Sequence, residues 1–336
     1  MKSSSGDRAH QVGAASQYIG VMGPADLLRK SLLTLAADNR VRDLIERAPV
    51  SRSVVRRYVP GAYATDVVAA VAELRTTNRW ATIDFLGEDT TDPAQAESVT
   101  TAYLQLLDLL AADDLSAGGA AEVSVKLSAI GQSLEGGDAI ALANARRICA
   151  AAQRLGTTVT LDMEDHTTTD QTLATLRVLR ADYPWVGVAI QAYLHRSEAD
   201  CRELASAGSR VRLCKGAYAE PESVAFQAMD EVDKSYIRCL RILLSGNGYP
   251  MIATHDPRLV EIATALANQA GRAADSFEFQ MLYGVRPDEQ RRLADRGHQM
   301  RVYIPYGEEW YGYLMRRMAE RPANAMLFVR SLLSRG

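Results

Sequence analysis

From residue 79 onward, short runs rich in β-branched residues alternate with long helical segments, and this alternation leaves few possible folds. One such segment, residues 143–156, has helical apolar spacing and closes at Gly156, as helices commonly do. A short link cannot return a chain for parallel pairing, so the alternation predicts parallel strands joined by helices. The runs lie at residues 80–86, 122–127, 158–163, 185–192, 210–215, 249–254, 275–280 and 300–305. Their number, eight, favours a (β/α)8 barrel over an open sheet.

Residues 1–78 have a different sequence pattern, without this alternation of strand-like runs and helical segments. The apolar spacing of P-A-D-L-L-R-K-S-L-L-T-L-A and V-R-D-L-I-E-R predicts helices. We therefore expect an N-terminal helical segment, residues 1–78, packed on a barrel that spans residues 79–334.

Composition excludes several classes of protein. The 336 residues carry a formal net charge of −3 and no basic stretch interleaved with aromatics, so no nucleic-acid partner is expected. The four cysteines form no C-x-x-C pair, which argues against a zinc site or a redox pair. Residues 1–15 lack the apolar core of a signal peptide, and no apolar run is long enough to span a membrane. We expect a cytoplasmic protein.

Polar side chains recur where the predicted strands end. In a parallel barrel these ends meet at one face, where active sites form. Lys126 alone could be a capping lysine, Asp162 a helix N-cap and His255 an ordinary satisfied histidine. Their recurrence at the same end predicts one joint site. The polar residues in question are Lys126, Asp162, Gln191, Arg212, Lys215, Thr254, His255, Gln280 and Tyr303.

Three kinds of chemistry remain open from these residues. Lys126 or Lys215 could form a Schiff base in a lyase. The same barrel could bind an amino acid without catalysis. A metal site could draw on Asp162, Glu164, Asp165, His166 and His255. A Rossmann nucleotide site is not supported, because the only G-x-G, Gly246-Asn247-Gly248, has no third glycine.

Two adjacent arginines stand in the last predicted helix. Arg316 and Arg317 could simply pair on the surface with Glu320, three or four positions further on. Tyr313, Arg316, Arg317 and Glu320 also follow the i, i+3, i+4, i+7 spacing of one helix face. A lysine at either position could not reproduce the planar guanidinium fork.

A set of motifs, in the same order along residues 80–330, resembles the proline dehydrogenase family. The motifs are V-K-L-S (125–128), L-D-M-E (161–164), Q-A-Y-L (191–194), R-L-C-K-G-A-Y (212–218), A-T-H-D (253–256), F-E-F-Q-M-L-Y-G (277–284), R-V-Y-I-P-Y-G (301–307) and Y-L-M-R-R-M-A-E (313–320). Each motif alone is weak, but the set is specific.

The resemblance implies an FAD-dependent enzyme on a distorted (β/α)8 TIM barrel, with its final helix over the barrel mouth. It implies oxidation of L-proline to 1-pyrroline-5-carboxylate by hydride transfer from ring carbon C5 to flavin, with electrons passed on to a membrane quinone. That acceptor implies docking at the inner face of the cell membrane. The chain is too short for the second domain of bifunctional relatives, so a separate 1-pyrroline-5-carboxylate dehydrogenase is expected.

The resemblance also implies residue roles. Lys126, Arg316 and Arg317 would bind the proline carboxylate, Asp162 is the active-site aspartate, and Arg212 lies near flavin N5. A tyrosine at position 313 implies preference for proline over 4-hydroxyproline. No metal is implied. The implied flavin contacts are Met163, Gln191, Arg212, Lys215, Gly216, Ala217, Thr254, His255 and, toward adenosine, Glu320. The implied walls of the substrate pocket are Tyr218, Leu282, Tyr303 and Tyr313.

Overall fold

A computed structural model describes residues 55–88, 90–206 and 208–314 of the chain. Eight parallel strands close into a barrel, in which each strand pairs with the next and the last pairs with the first. The predicted (β/α)8 barrel is therefore confirmed. The strands are β1 (Arg79–Phe85), β2 (Ala121–Val125), β3 (Val159–Leu161), β4 (Gly187–Gln191), β5 (Arg210–Cys214), β6 (Tyr249–Ala253), β7 (Glu278–Leu282) and β8 (Met300–Tyr306).

An α-helix directly precedes β1, and one α-helix follows each of the first seven strands. The helix that follows β1, α2 (Pro93–Ala112), begins after Asp92, whose Oδ1 accepts the backbone N–H groups of Ala94 and Gln95 at 2.8 and 3.0 Å. Proline at the next position fits, because the first turn needs no N–H there. The helices are α1 (Ala64–Arg75), α2 (Pro93–Ala112), α3 (Gly137–Arg154), α4 (Thr169–Asp182), α5 (Ser197–Leu204), α6 (Met229–Ser245), α7 (Pro257–Gln269) and α8 (Pro287–Asp295).

The strands are buried on both faces, and the two faces differ in chemistry. In β2, Val123 and Val125 belong to the apolar core. Glu122 and Ser124 alternate with them and bond to arginines of β5 across the barrel interior. Because side chains alternate along a strand, a polar residue at every second position marks the side that faces the barrel axis.

Buried charges fill the barrel interior near the amino ends of the strands. Arg301 of β8 donates to both carboxylate oxygens of Glu278 in β7, at 2.7 and 3.0 Å. Arg210 of β5 donates to Glu122 of β2 at 2.8 Å. Removal of one partner would leave a buried charge unpaired, which typically costs about 3–5 kcal/mol. We therefore infer that these ion pairs stabilise the barrel. The candidate site lies at the opposite, carboxyl ends of the strands.

The ends of the chain fall largely outside the described residues. Helix α1 packs against β1 and α2 and buries Val67, Val71 and Leu74. The expected role of residues 1–78 stays a prediction, since residues 1–54 are not described. A final helix begins at residue 310 and is described to residue 314, so its expected position over the mouth is not tested. Within the described ranges, no helix is long and apolar enough to cross a membrane.

Candidate active site

The carboxylate of Asp162, just after β3, is the centre of the polar cluster at the carboxyl ends of the strands. Its Oδ1 accepts hydrogen bonds from Ser124 Oγ at 2.7 Å and Arg212 Nη1 at 2.5 Å. Its Oδ2 accepts the Tyr303 hydroxyl at 2.7 Å. Burial alone would raise the pKa of Asp162, but Arg212 and Lys126 outweigh it and hold that pKa below its ordinary value. Asp162 is therefore a charged, poorly basic acceptor at neutral pH.

Lys126, just after β2, lies between two carboxylates. Its Nζ is 2.5 Å from Asp84 Oδ2 and 3.7 Å from Asp162 Oδ2. Burial would lower the pKa of Lys126, yet the two carboxylates raise it above its ordinary value. An ammonium group held in its charged form cannot attack a carbonyl, which argues against a Schiff-base reaction at this lysine. It can, however, bind a further carboxylate.

Asp84, in β1, is a member of the cluster that the sequence analysis missed. Its side chain is fully buried, and burial raises its pKa to about 6 despite the nearby charge of Lys126. The available signal was an aspartate inside the otherwise apolar run W-A-T-I-D-F-L, one strand before Lys126. A buried carboxylate in such a run needs a cationic partner, and the next strand supplies it.

Arg212 is fixed by acceptors on three other strands and by Asp162, just after β3. Besides the bond to Asp162, it donates from Nε to Gln280 at 2.6 Å and from Nη1 to Ser124 at 2.8 Å. A longer bond of 3.2 Å runs from Nη2 to Thr82. Its guanidinium carbon also lies 5.3 Å from the centroid of the Tyr303 ring. Five donors in a rigid fork suit such a hub, and no other side chain offers them.

The residues after β5 form the next part of the rim. Lys215 Nζ lies 2.5 Å from Asp233 Oδ1 and 3.5 Å from Asp256 Oδ2, with its side chain about a quarter exposed. Gly216 has a φ of +115°, and a Cβ there would lie 2.4 Å from the ring of Tyr193. Both facts require glycine, because the chain takes a left-handed turn directly over that ring.

The other predicted residues surround this cluster. Gln191 Nε2 donates to the Glu164 carbonyl at 2.7 Å, which leaves its amide oxygen available. His255 Nε2 accepts the Leu282 N–H at 2.9 Å, so the proton of a neutral His255 ring lies on Nδ1. Met163, Thr254 and Tyr313 are buried, Tyr218 and Leu282 are half-buried, and Ala217 is exposed. The predicted carboxylate ligands Arg316 and Arg317, and the predicted adenosine contact Glu320, lie outside the described residues.

His166, one of the candidate metal ligands, does not join this cluster. Its backbone N–H donates to Glu220 Oε1 at 2.9 Å, and its ring Nδ1 bonds to Glu220 Oε2. In the part of the chain that is described, no group of three or more His, Cys, Asp or Glu side chains is arranged to hold a metal ion. The partnership of His166 with Glu220, 54 positions away in the sequence, was not foreseen.

Comparison with known proteins identifies the family. The family model described as proline dehydrogenase matches residues 67–330. A proline dehydrogenase of Deinococcus radiodurans is 38% identical over 310 residues, which cover 91% of this chain and 98% of the relative. Proline dehydrogenase 1 of Bacillus subtilis is 36% identical over 310 residues, covering 92% and 100%.

Solved structures agree at the level of the fold. Proline utilization A from Bdellovibrio bacteriovorus, inactivated by N-propargylglycine, superposes with a TM-score of 0.74 at 23% identity. The match covers 87% of this chain but only 36% of that longer chain. The family model and the relatives lead to the same conclusion. The chain belongs to the proline dehydrogenase family, the oxidoreductases that carry out the first step of proline catabolism.

Proposed function

We propose that the enzyme uses FAD to oxidise L-proline to 1-pyrroline-5-carboxylate and passes the electrons to a membrane quinone. Proline dehydrogenases are flavoenzymes in general, and proline is their substrate. The observation that carries the proposal is the charged cluster of Lys126, Asp162 and Arg212 at the barrel mouth. It offers a cation for a carboxylate beside a fixed anion, which matches the two charged groups of proline.

Lys126 is proposed to bind the substrate carboxylate together with Arg316 and Arg317. Its raised pKa supports this role, because the ammonium group stays charged through neutral pH. Charge-assisted hydrogen bonds of this kind contribute about 1.5–3 kcal/mol each. Proline keeps its carboxylate throughout the reaction, so the three cations orient the ring rather than stabilise developing charge.

The pocket walls are proposed to be Tyr218, Leu282, Tyr303 and Tyr313. Tyr313 is buried at the start of the final helix. A large side chain there would leave no room for an added ring hydroxyl. A pocket of this kind rejects such a substrate through steric conflict and loss of its hydration. We therefore propose a preference for proline over 4-hydroxyproline.

The donor set at this end of the barrel fits a flavin. The guanidinium of Arg212, the ammonium of Lys215 and the amide of Gln191 suit its ring carbonyls and pyrophosphate. Gly216 permits close backbone approach. Bound there, FAD supplies the acceptor for the hydride that leaves proline. The remaining proposed contacts are Met163, Ala217, Thr254, His255 and Glu320.

Asp162 is proposed to stabilise charge rather than to accept a proton. Three donors already occupy its oxygens, and its pKa lies below the ordinary value. Once the proline amine is neutral, its lone pair forms the C5=N bond as hydride leaves C5. The nitrogen then carries a positive charge, which a fixed carboxylate favours. Loss of the N–H proton then gives the neutral imine. Because Asp162 stays ionised, its effect is available from the start of the reaction.

The proposal also includes the electron acceptor and the enzyme that oxidises the product. A quinone acceptor implies peripheral docking at the inner face of the cell membrane. The next oxidation is proposed to belong to a separate 1-pyrroline-5-carboxylate dehydrogenase. In support, the chain matches relatives named for proline dehydrogenase alone over 98–100% of their length.

Steady-state kinetics of arginine variants test the substrate assignment. With a soluble quinone as acceptor, Arg316→Lys and Arg317→Lys should each raise the KM for proline about tenfold, the effect of one lost charge-assisted bond. Arg177→Lys is the matched control, since Arg177 is an exposed arginine paired with Glu203 on the outer helices. The product should be lighter than proline by two hydrogen atoms. Wild-type KM values in both variants would contradict the assignment.

A further inference from the structure

A buried carboxylate anchors the segment that follows β5, residues 215–228, hereafter the β5–α6 segment. The side chain of Glu220 is 3% exposed. Its Oε1 accepts the His166 backbone N–H at 2.9 Å and the Tyr193 hydroxyl at 3.2 Å, while Oε2 accepts from His166 Nδ1. The loops that follow β3, β4 and β5 therefore meet at one carboxylate.

Tyr193, after β4, connects this anchor to the rim of the site. Its hydroxyl donates to Glu220 Oε1 at 3.2 Å. Its ring lies under Gly216, where a Cβ would approach to 2.4 Å. Its backbone N–H donates to the Lys215 carbonyl, and its carbonyl accepts the Phe226 N–H, both at 2.8 Å. The β5–α6 segment thus wraps around a single tyrosine.

We propose that Glu220 is a positioning residue for proline dehydrogenation, acting through Tyr193 to fix the backbone of Gly216–Tyr218. The inference rests on the proposed function, because it takes Tyr218 as a pocket wall and Gly216 as a flavin contact. Glu220 bonds to His166 and Tyr193 rather than to groups of the substrate pocket, so its effect on the reaction is indirect. Its negative charge is required, because every group around the carboxylate is a donor.

The chemistry of the donors explains why glutamine cannot replace Glu220. An ionised carboxylate only accepts hydrogen bonds, whereas a glutamine amide must direct one end, its NH2 group, at a donor. Either one of the two hydrogen bonds from His166 would be lost, or the Tyr193 hydroxyl would rotate and lose its bond to residue 220. A buried network that is only partly satisfied is less stable than a complete one.

Glu220→Gln and Glu222→Gln form a matched pair for the test. Both remove one negative charge from the β5–α6 segment, but Glu222 is exposed. In the flavin-loaded protein, Glu220→Gln should raise the KM for proline about tenfold and change kcat by less than about threefold, since a displaced pocket wall weakens binding more than chemistry. Glu222→Gln should match the wild type. Equal KM values in the two variants would overturn the inference.

Hydrogen exchange provides a readout that does not depend on turnover. In Glu220→Gln, the backbone amides of Tyr193 and Phe226, which join Tyr193 to the segment, should exchange at least about tenfold faster than in Glu222→Gln, while amides of the barrel strands keep their rates. Equal exchange in the two variants would show that Glu220 does not hold the segment. If the wild type does not oxidise proline, the proposed function is wrong. If the wild type is active but Glu220→Gln and Glu222→Gln have equal KM values and equal exchange rates, only the inference about Glu220 is wrong.

A second variant covers the case in which Glu220→Gln does not fold. Tyr193→Phe keeps the carboxylate and the ring under Gly216 but removes the hydroxyl through which Glu220 holds that ring. It should raise the KM for proline with kcat largely retained. An unchanged KM in Tyr193→Phe would overturn the inference.

Discussion

Arg212→Lys separates the charge of this residue from its geometry. The guanidinium serves four buried acceptors, and an ammonium has only three donors on one atom, so at least one acceptor loses its partner. Each buried polar group left unsatisfied costs about 1–3 kcal/mol, so we expect the free energy of unfolding to fall by that amount. The four acceptors are Thr82, Ser124, Asp162 and Gln280.

The effect on catalysis should be larger than the effect on stability. A lysine in place of Arg212 would keep the positive charge near Asp162 but not its position, and a displacement of about 1 Å at a reacting centre can cost about a hundredfold. We therefore expect kcat/KM for proline to fall about tenfold to a hundredfold, measured by initial rates with a soluble quinone. Urea denaturation gives the accompanying loss of stability.

Arg210→Lys is the matched control for this variant. Arg210 lies two positions earlier in β5, points into the same barrel and bonds to Glu122 at 2.8 Å, but at the amino end of the strands. It should lose stability while kcat/KM stays within about twofold of the wild type. Equal loss of kcat/KM in both variants would contradict a positional role for Arg212, because the effect would then follow barrel stability.

Three further predictions follow from the same cluster. Lys126→Met should raise the KM for proline about tenfold to a hundredfold in initial-rate assays, since one charge-assisted bond to the carboxylate is lost; an unchanged KM would contradict this role. Tyr303→Phe should lower the free energy of unfolding in urea by about 1–2 kcal/mol, since the hydroxyl donates to Asp162 at 2.7 Å; an undiminished value would contradict the bond. The pKa of Asp84 rises on folding from 3.8 to about 6, so its protonated form is favoured in the folded state. The corresponding stability, about 3 kcal/mol, is present below pH 4 and is lost as pH rises through 6. Asp84→Asn should lose this dependence in urea titrations between pH 4 and 7, and an unaltered dependence would contradict the assignment.

The fold could be predicted from the sequence because its signals are local. Runs such as E-V-S-V-K-L and R-V-R-L-C-K combine β-branched residues with period-two alternation, and each is followed by a helical segment. Boundaries were less accurate. The seventh run was placed at residues 275–280, whereas β7 is Glu278–Leu282, because its pairing with β6 begins at Met251 and Glu278. Register depends on neighbouring strands, which a local pattern cannot report.

The membership of the site was partly predictable, but its pairings were not. Polar residues at strand ends and the family motifs led to Asp162, Lys126, Arg212 and Tyr303. In the structure, the last three lie around the carboxylate of Asp162. Their roles stay predictions. The partnership of Asp84 with Lys126 depends on the adjacency of β1 and β2, and that of His166 with Glu220 on how two loops fold back. Such contacts follow from barrel closure rather than from sequence spacing.

The first measurement to make is the visible spectrum of the purified protein, recorded anaerobically before and after addition of L-proline. We expect a flavin band that bleaches with proline, because hydride transfer from the substrate would reduce the flavin. We also expect 4-hydroxyproline to bleach the band more slowly. A protein that holds flavin whose band proline leaves unchanged would contradict the proposed reaction, and a protein that takes up no flavin when FAD is supplied would contradict the proposed cofactor.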